Sequence, residues 1–202
     1  MVRLTILFAA FCAAVSGTDL SLGLGAGPAS GTALRTEVDA GALVNFGYDF
    51  WRFRAGAIGV EVPASFSGSP RAEVFSQFGV SGYYSERLTV ALTPGVRVRF
   101  AARSRVSPWI SMGAGGVLIR RTGVASTVSQ VIASQRDSNL GVALAPAAGA
   151  DLRIGSRWFV RGELRNYLYK TPSTGFVASF PYWGRWNYNP VIAISGGWRS
   201  AN

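Results

Sequence analysis

The sequence of 202 residues predicts an all-β fold, an eight-stranded antiparallel up-and-down barrel. Two observations carry this prediction. Apolar residues recur at every second position in eight separate segments, which is the spacing of side chains on one face of a strand. The connections between these segments are alternately short and long, and an even number of strands lets such a meander close on itself.

The predicted strands differ in regularity. In the third strand the apolar register slips near Gly56, which indicates a β-bulge. Pro94 and Pro146 fall inside the fourth and sixth strands, where each removes a backbone donor, so we expect a bulge at both prolines. The eight strands are predicted over residues 20–25, 37–48, 52–64, 87–100, 109–121, 140–154, 158–169 and 192–199.

The connections fall into two classes of length. Every second connection of a meander lies on the same rim, so one rim is predicted to carry short turns and the other long loops. This asymmetry is typical of outer-membrane barrels. Short turns are predicted at residues 49–51, 101–108 and 155–157, and long loops at 28–35, 65–85, 122–138 and 171–189.

The polar face of the strands indicates which side is enclosed. It is built from Gly, Ala, Ser, Thr and charged residues, and the only lysine, Lys170, lies at a strand end. Small residues and arginine–carboxylate pairs suit the narrow lumen of eight strands, which leaves the apolar face for lipid and predicts a transmembrane barrel. The register turns nine arginines and six carboxylates inward, and we expect these buried ions to pair and to plug the barrel. The predicted lumen charge network comprises Glu37, Asp39, Arg52, Arg54, Arg97, Arg99, Asp151, Arg153, Arg161, Glu163 and Arg165, and the other inward charges are Asp19, Glu61, Arg87 and Arg199.

Aromatic residues cluster toward both ends of the strands, with an aliphatic band between them. Aromatic rings prefer the headgroup level of a bilayer, so the two clusters predict aromatic belts at the two interfaces. The predicted belts comprise Tyr48, Trp51, Phe53, Phe100, Trp109, Trp158 and Trp198 at the short-turn ends, and Tyr167 and Tyr169 toward the long-loop ends.

The first 17 residues are predicted to be a cleaved signal peptide, followed by a barrel domain over residues 18–202. Arg3 precedes an apolar stretch from Leu4 to Val15, and the small residues Ser16 and Gly17 suit the cleavage site. The apolar stretch is too short to span a bilayer as a helix. The only cysteine, Cys12, lies within the leader, so we expect no disulfide in the mature chain.

With these features the chain resembles the small eight-stranded outer-membrane barrels of the OmpA and OmpX type, over roughly residues 18–199. The resemblance implies a location in the outer membrane and contact with membrane lipid and lipopolysaccharide. We expect a monomer. Members of this group usually end on an aromatic residue, and its nearest equivalent here is Trp198, which is followed by four further residues.

Composition argues against most catalytic chemistry. Histidine is absent, and the barrel hydrolases and acyltransferases, as families, depend on one. There is no phosphate-binding loop of the GxxxxGK[ST] kind. We therefore predict no catalytic, cofactor-binding or metal site. The formal charge of +10 raises nucleic-acid binding as a rival, but export and the lack of a basic helix argue against it.

The function predicted from the sequence is a non-enzymatic, structural role in envelope integrity or adhesion through the long loops. One loop is rich in rings and is a candidate extracellular recognition loop, although its rings can instead extend the outer aromatic belt or fold over the barrel mouth. Two alternatives remain open: a secreted or periplasmic lipocalin-like barrel that binds an apolar ligand, and a narrow anion-selective pore. The candidate loop residues are Phe176, Phe180, Tyr182, Trp183, Arg185 and Trp186.

Overall fold

A computed structural model describes residues 17–28, 38–69, 73–77, 80–127, 131–170 and 186–200. Among these residues no helix has the length and apolarity needed to cross a membrane. The strands are β1 (Thr18–Pro28), β2 (Val38–Phe53), β3 (Gly56–Ser69), β4 (Glu73–Gln77), β5 (Val80–Leu92), β6 (Gly95–Phe100), β7 (Val106–Thr127), β8 (Val131–Ile154), β9 (Trp158–Lys170) and β10 (Trp186–Arg199).

The strands close into one antiparallel barrel. β1 pairs with both β2 and β10, so the first and last strands join. β5 and β6 together form one wall strand, which is interrupted at Thr93 and Pro94, and β4 extends from β5 outside the wall. The wall therefore has eight strands, which confirms the predicted fold class.

Neither proline produces the predicted bulge. At Pro94, two residues separate Leu92 from Gly95, and two residues also separate their β3 partners, Ala64 and Glu61. No residue is therefore inserted in either strand. At Pro146 the pairing of β8 with β9 lapses for two residues and resumes in the same register. A proline has no backbone N–H to donate to the neighbouring strand. At both prolines the pairing is interrupted locally, and the register of the strands stays the same.

The bulge that matters for the lumen lies at the end of β2, and two further register shifts lie between Tyr84 and Glu86 on β5 and between Ala125 and Ser126 on β7. The β2–β3 register shifts between Asp49 and Trp51, not at Gly56, and β2 continues to Phe53 before a turn at residues 54–55. The predicted turn at 49–51 and the predicted start of the third strand at 52 are therefore wrong. Because the bulge follows Asp49, that residue keeps the inward phase of the strand.

Two predicted long loops are largely strand. Within 65–85, β3 runs to Ser69 and β5 begins at Val80; within 122–138, β7 runs to Thr127 and β8 begins at Val131. Polar side chains suggested loops there, but a ladder is made by backbone groups and continues through them.

The described turns at residues 54–55, 101–105 and 155–157 share one end of the barrel, which we call the short-turn rim. The first and last described residues meet there as well. Ser200 Oγ accepts hydrogen bonds from the backbone N–H groups of Gly17 and Thr18 at 2.9 and 3.2 Å. The Asp49 N–H donates to the Gly17 carbonyl at 3.0 Å, so Gly17, assigned to the leader from sequence, takes part in closing the barrel.

Candidate functional site

The barrel is charged inside and apolar outside. Arg97, Arg161 and Arg165 are at most 1% exposed, whereas Leu24 and Leu140 on the outer face are 76% and 75% exposed. In a water-soluble protein the arginines would lie on the surface and the leucines in the interior. An exposed apolar surface of this extent is stable only against another apolar phase.

The interior is organised around one carboxylate, that of Asp19 on β1. Its Oδ2 accepts from Arg97 at 2.7 Å and from Arg99 at 2.6 Å. The guanidinium group of Arg161 lies 3.6 Å from Asp19 Oδ1, and that of Arg199 lies 3.7 Å from Asp19 Oδ2. Asp19 is fully buried, so these contacts replace its lost hydration.

A glycine on β2 makes room for this cluster. Gly47 pairs with Asp19 across the β1–β2 ladder. A Cβ atom at Gly47 would come within 2.6 Å of the Arg97 guanidinium and 2.5 Å of an Asp19 oxygen. The close approach of the charged groups therefore requires glycine at this position.

Asp49 and Asp151 flank the central carboxylate. Asp49 lies 3.4 Å from Arg97 and 3.0 Å from Arg99. Asp151 accepts from Arg161 and Arg199, both at 2.7 Å. Each arginine thus bridges carboxylates from different strands, which ties opposite walls of the barrel together.

Two buried rings cover this part of the network. The Trp109 indole N–H donates to Asp151 at 3.2 Å, and the Arg161 guanidinium lies 5.1 Å from the Trp109 ring centroid. The Phe159 ring lies 5.1 Å from Arg161 and 4.8 Å from Arg199. These are cation–π distances, so the rings stabilise the arginines as well as excluding water.

A second group of charges lies further from the short-turn rim. Arg165 contacts Glu61 at 2.8 Å and Glu163 at 3.2 Å, and Asn45 donates to Glu61 at 3.4 Å. Arg97 lies 4.0 Å from Glu61 and connects the two groups.

We define the lumen network as these ten charged residues. Five are arginines and five are carboxylates, so within the described part of the chain the network has no net charge. The network therefore lacks the excess of positive charge that the sequence predicts inside the barrel. A neutral network gives the lumen no electrostatic preference for anions. Its members are Asp19, Asp49, Glu61, Arg97, Arg99, Asp151, Arg161, Glu163, Arg165 and Arg199.

Three predicted network members lie elsewhere. Arg52 is on the rim, with its side chain 35% exposed and 3.8 Å from Asp49. Arg54 is exposed because it lies in the turn at residues 54–55, beyond the end of β2. Arg153 is half-buried and donates to the Ala102 carbonyl of a neighbouring turn at 2.9 Å.

Other predicted members are only partly described. Glu37 lies outside the described residues, as do the side chains of Asp39 and Arg87, although Asp39 pairs with Gly27 in the β1–β2 ladder. Asp49 is a network member that the sequence did not predict, because a turn was expected at residues 49–51. The signal that could have found it is the inward series of Asn45 and Gly47, which Asp49 continues by period two.

Only some of the predicted belt residues face outward. Trp51, Phe53, Phe100 and Trp158 are exposed on the outer face near the short-turn rim, and Tyr48 and Trp198 are half-buried. Near the opposite rim, the exposed rings among the described residues are Phe66, Trp186 and Tyr188.

Trp109, Tyr167 and Tyr169 are not belt residues. All three are buried in the lumen, at most 3% exposed. Their strand phase explains this, since Tyr167 and Tyr169 continue the inward series of Glu163 and Arg165 on β9. These rings lie near strand ends, as belt residues do, but the strand phase decides which face a ring occupies, so the belt prediction is wrong for all three.

In the half of the lumen nearer the long connections, none of the buried side chains that the structure describes carries a charge. A cavity of about 30 Å³ lies there, lined mostly by small, aliphatic and aromatic side chains together with the amide of Asn189. A cavity of this size holds one or two water molecules. The buried cluster comprises Ala91, Val117, Ile119, Ala143, Ala145, Tyr167 and Tyr169.

Of the candidate recognition loop, Phe176, Phe180, Tyr182, Trp183 and Arg185 lie outside the described residues. Trp186 begins β10 and is exposed. The part of the chain that the structure describes contains no group of three or more metal-ligating side chains.

Searches of protein-family models and of curated proteins found no match to this chain. Among solved structures, the outer membrane protein OprG from Pseudomonas aeruginosa superposes with a TM-score of 0.55 at 12% identity, over 91% of this chain and 95% of that one. Ail, the attachment invasion locus protein of Yersinia pestis, superposes with a TM-score of 0.53 at 14% identity, over 91% of this chain and 99% of that one, in a complex with the heparin analogue sucrose octasulfate. The chain has the fold of small outer-membrane β-barrels.

Proposed function

We propose that this protein is an integral outer-membrane barrel without enzymatic activity, whose closed interior serves envelope integrity and whose long connections face the cell exterior. The observation that carries this proposal is the reversal of polarity between the two faces of the wall. Lipid tails are the environment that suits the exposed Leu, Ile and Val side chains. The lipocalin-like alternative requires the opposite, with an apolar lumen along the whole barrel and a polar outer face.

The lumen network supports a structural role. Each of its carboxylates lies within 3.2 Å of an arginine, and its arginines link β1, β6, β9 and β10 across the interior. A nucleophile or general base needs a group that is accessible to substrate, whereas these groups are buried and engaged with one another. We therefore favour a plug over a catalytic centre.

Cell fractionation tests the location. We expect the protein, expressed with its leader in a Gram-negative host, to sediment with the outer membrane, to resist alkaline carbonate extraction and to dissolve in detergent. Unboiled protein should migrate differently from boiled protein on a denaturing gel, as closed barrels do. Recovery in the free periplasmic fraction would instead support the lipocalin-like alternative.

Planar-bilayer recording tests the anion-selective pore. A neutral, paired network that fills one half of an eight-stranded lumen leaves no ion path, so we expect no conductance steps from purified protein. Steps with anion selectivity would contradict the plug.

Adhesion through the long connections is the second half of the proposal. The candidate loop combines rings with Arg185, which is the composition of recognition surfaces. Deleting residues 172–184 should abolish binding to host cells or to a sulfated glycan, chosen because the Ail structure contains one, while the heat-modifiable gel shift remains. Binding that persists in the deletion variant would assign adhesion elsewhere.

A further inference from the structure

The short-turn rim carries exposed arginines without neighbouring acids. Arg54, Arg103, Arg105 and Arg157 are all exposed, one or two in each of the three turns. We call these four residues the rim arginines. Residues 50–57, 100–108 and 153–159, which contain the turns, include no Asp, Glu or Lys.

The acids of this end of the barrel are inside it. Asp19, Asp49 and Asp151 are buried and engaged by arginines of the lumen network. Among the described residues none of the rim arginines has an ion pair with a carboxylate. The fold therefore neutralises the interior and leaves uncompensated positive charge on the rim.

The outer face fixes the level of these arginines in a membrane. Each turn has an exposed ring within three residues of a rim arginine: Phe53 precedes Arg54, Phe100 precedes Arg103, and Trp158 follows Arg157. Aromatic rings settle at the boundary between acyl chains and headgroups. The rim arginines extend beyond that boundary and so lie among the headgroup phosphates.

We propose that the rim arginines form a binding site for anionic glycerophospholipids, in the leaflet that surrounds the short-turn rim. This proposal rests on the membrane location proposed above. With the short turns toward the periplasm, that leaflet is the inner one of the outer membrane, so the ligand is a phospholipid and not the lipopolysaccharide of the opposite leaflet. A guanidinium group donates two parallel hydrogen bonds to a phosphate, which is why arginine suits this site better than lysine.

Lipid retention measures this preference. The full mature chain is reconstituted in phosphatidylcholine vesicles that contain a minor fraction of phosphatidylglycerol, extracted in mild detergent, and analysed for the lipids that remain bound. We expect phosphatidylglycerol to be enriched over its fraction in the vesicle. An arginine near an anionic surface contributes up to about a fivefold preference, so Arg54→Gln, Arg103→Gln, Arg105→Gln and Arg157→Gln combined should abolish the enrichment.

A matched control tests whether the effect belongs to this rim. Arg120→Gln removes an exposed arginine of β7 far from the short turns and should retain the wild-type enrichment. The single variants Arg103→Gln and Arg157→Gln should each reduce the enrichment, which keeps the test valid if the combined variant folds poorly. The heat-modifiable gel shift reports insertion in every sample.

The outcomes separate this site from the proposed function. A wild-type chain that inserts into no vesicle contradicts the membrane location, and with it the lipid site. Insertion with equal enrichment in the wild type and the combined variant contradicts the lipid site alone. Loss of enrichment in Arg120→Gln to the same extent as in the single rim variants also overturns it, because the preference would then follow overall charge.

Discussion

The two halves of the lumen are filled in different ways although the same strands build both. On β9 the inward residues nearest the short-turn rim are Arg161, Glu163 and Arg165, and the next two are Tyr167 and Tyr169. The first half is held by charge-assisted hydrogen bonds between walls, the second by packing of small and phenolic side chains around a cavity of about 30 Å³. From this difference we expect substitutions in the charged half to destabilise the barrel more than substitutions in the packed half.

The largest expected effect comes from removing the centre of the charged half. Asp19→Asn keeps the shape of the side chain but leaves Arg97 and Arg99 without their shortest ion pairs. We expect a loss of about 3–5 kcal/mol in the free energy of unfolding, because buried charge is left uncompensated. Urea unfolding of the refolded barrel in lipid vesicles, followed by tryptophan fluorescence, measures it.

Glu163→Gln is the matched control for that experiment. Glu163 contacts Arg165 at 3.2 Å, and Arg165 keeps its shorter pair with Glu61 at 2.8 Å. The loss should therefore be smaller than in Asp19→Asn. Equal losses would mean that the network has no centre.

A second prediction tests the outer boundary shared by both halves. Leu144→Arg places a charge in the aliphatic band and should cost about 2–4 kcal/mol of folding free energy in a bilayer. The refolded fraction in vesicles, read from the heat-modifiable gel shift, should fall. Ser156→Arg, which adds the same charge in an exposed turn, should leave that fraction unchanged. An unchanged yield for Leu144→Arg would argue that water bathes this face.

A third pair of variants compares the spare room in the two halves. A Cβ atom at Gly197 would overlap the Phe159 ring beneath the charged half, whereas at Gly141 its nearest neighbour is Val117 at an ordinary 3.5 Å. Gly197→Ala should destabilise the barrel by about 1–3 kcal/mol through overpacking. Gly141→Ala should change the stability by less than about 0.5 kcal/mol. The midpoints of urea unfolding give both, and equal shifts would show that the halves are packed alike.

A small expected effect separates the lumen network from the rim. Arg52 lies 3.8 Å from Asp49 but is partly exposed, and Asp49 keeps Arg99 at 3.0 Å. A solvated pair of this kind contributes little, so Arg52→Gln should change the unfolding free energy by less than about 1 kcal/mol. A loss comparable to that of Asp19→Asn would place Arg52 within the network.

The predicted cleavage of a signal peptide can be tested directly. Gly17 bonds to Asp49 and Ser200, which favours cleavage after Ser16, so that Gly17 is retained. We expect N-terminal sequencing of the exported protein to begin at Gly17. A sequence that begins at Thr18 would instead place the cleavage after Gly17, as the sequence predicts.

Prediction from sequence succeeded where the evidence is local. Strand phase is such a feature, and it correctly turned Arg97, Arg161 and Glu163 inward. It failed where one inserted residue mattered: the bulge after Asp49 moved a turn and placed Arg52 and Arg54 outside the lumen. A bulge depends on two paired strands, so a single strand's periodicity does not locate it.

The sequence by itself determined that the chain forms alternating strands with one aliphatic face and one face of small and charged residues, because side-chain direction in a strand repeats every two residues. Only the tertiary structure decided which charges meet. Arg97 reaches Asp19, 78 positions away in the chain, and Arg165 reaches Glu61, 104 positions away. Such contacts depend on how the strands stagger as the sheet closes, and that stagger is a property of the whole barrel.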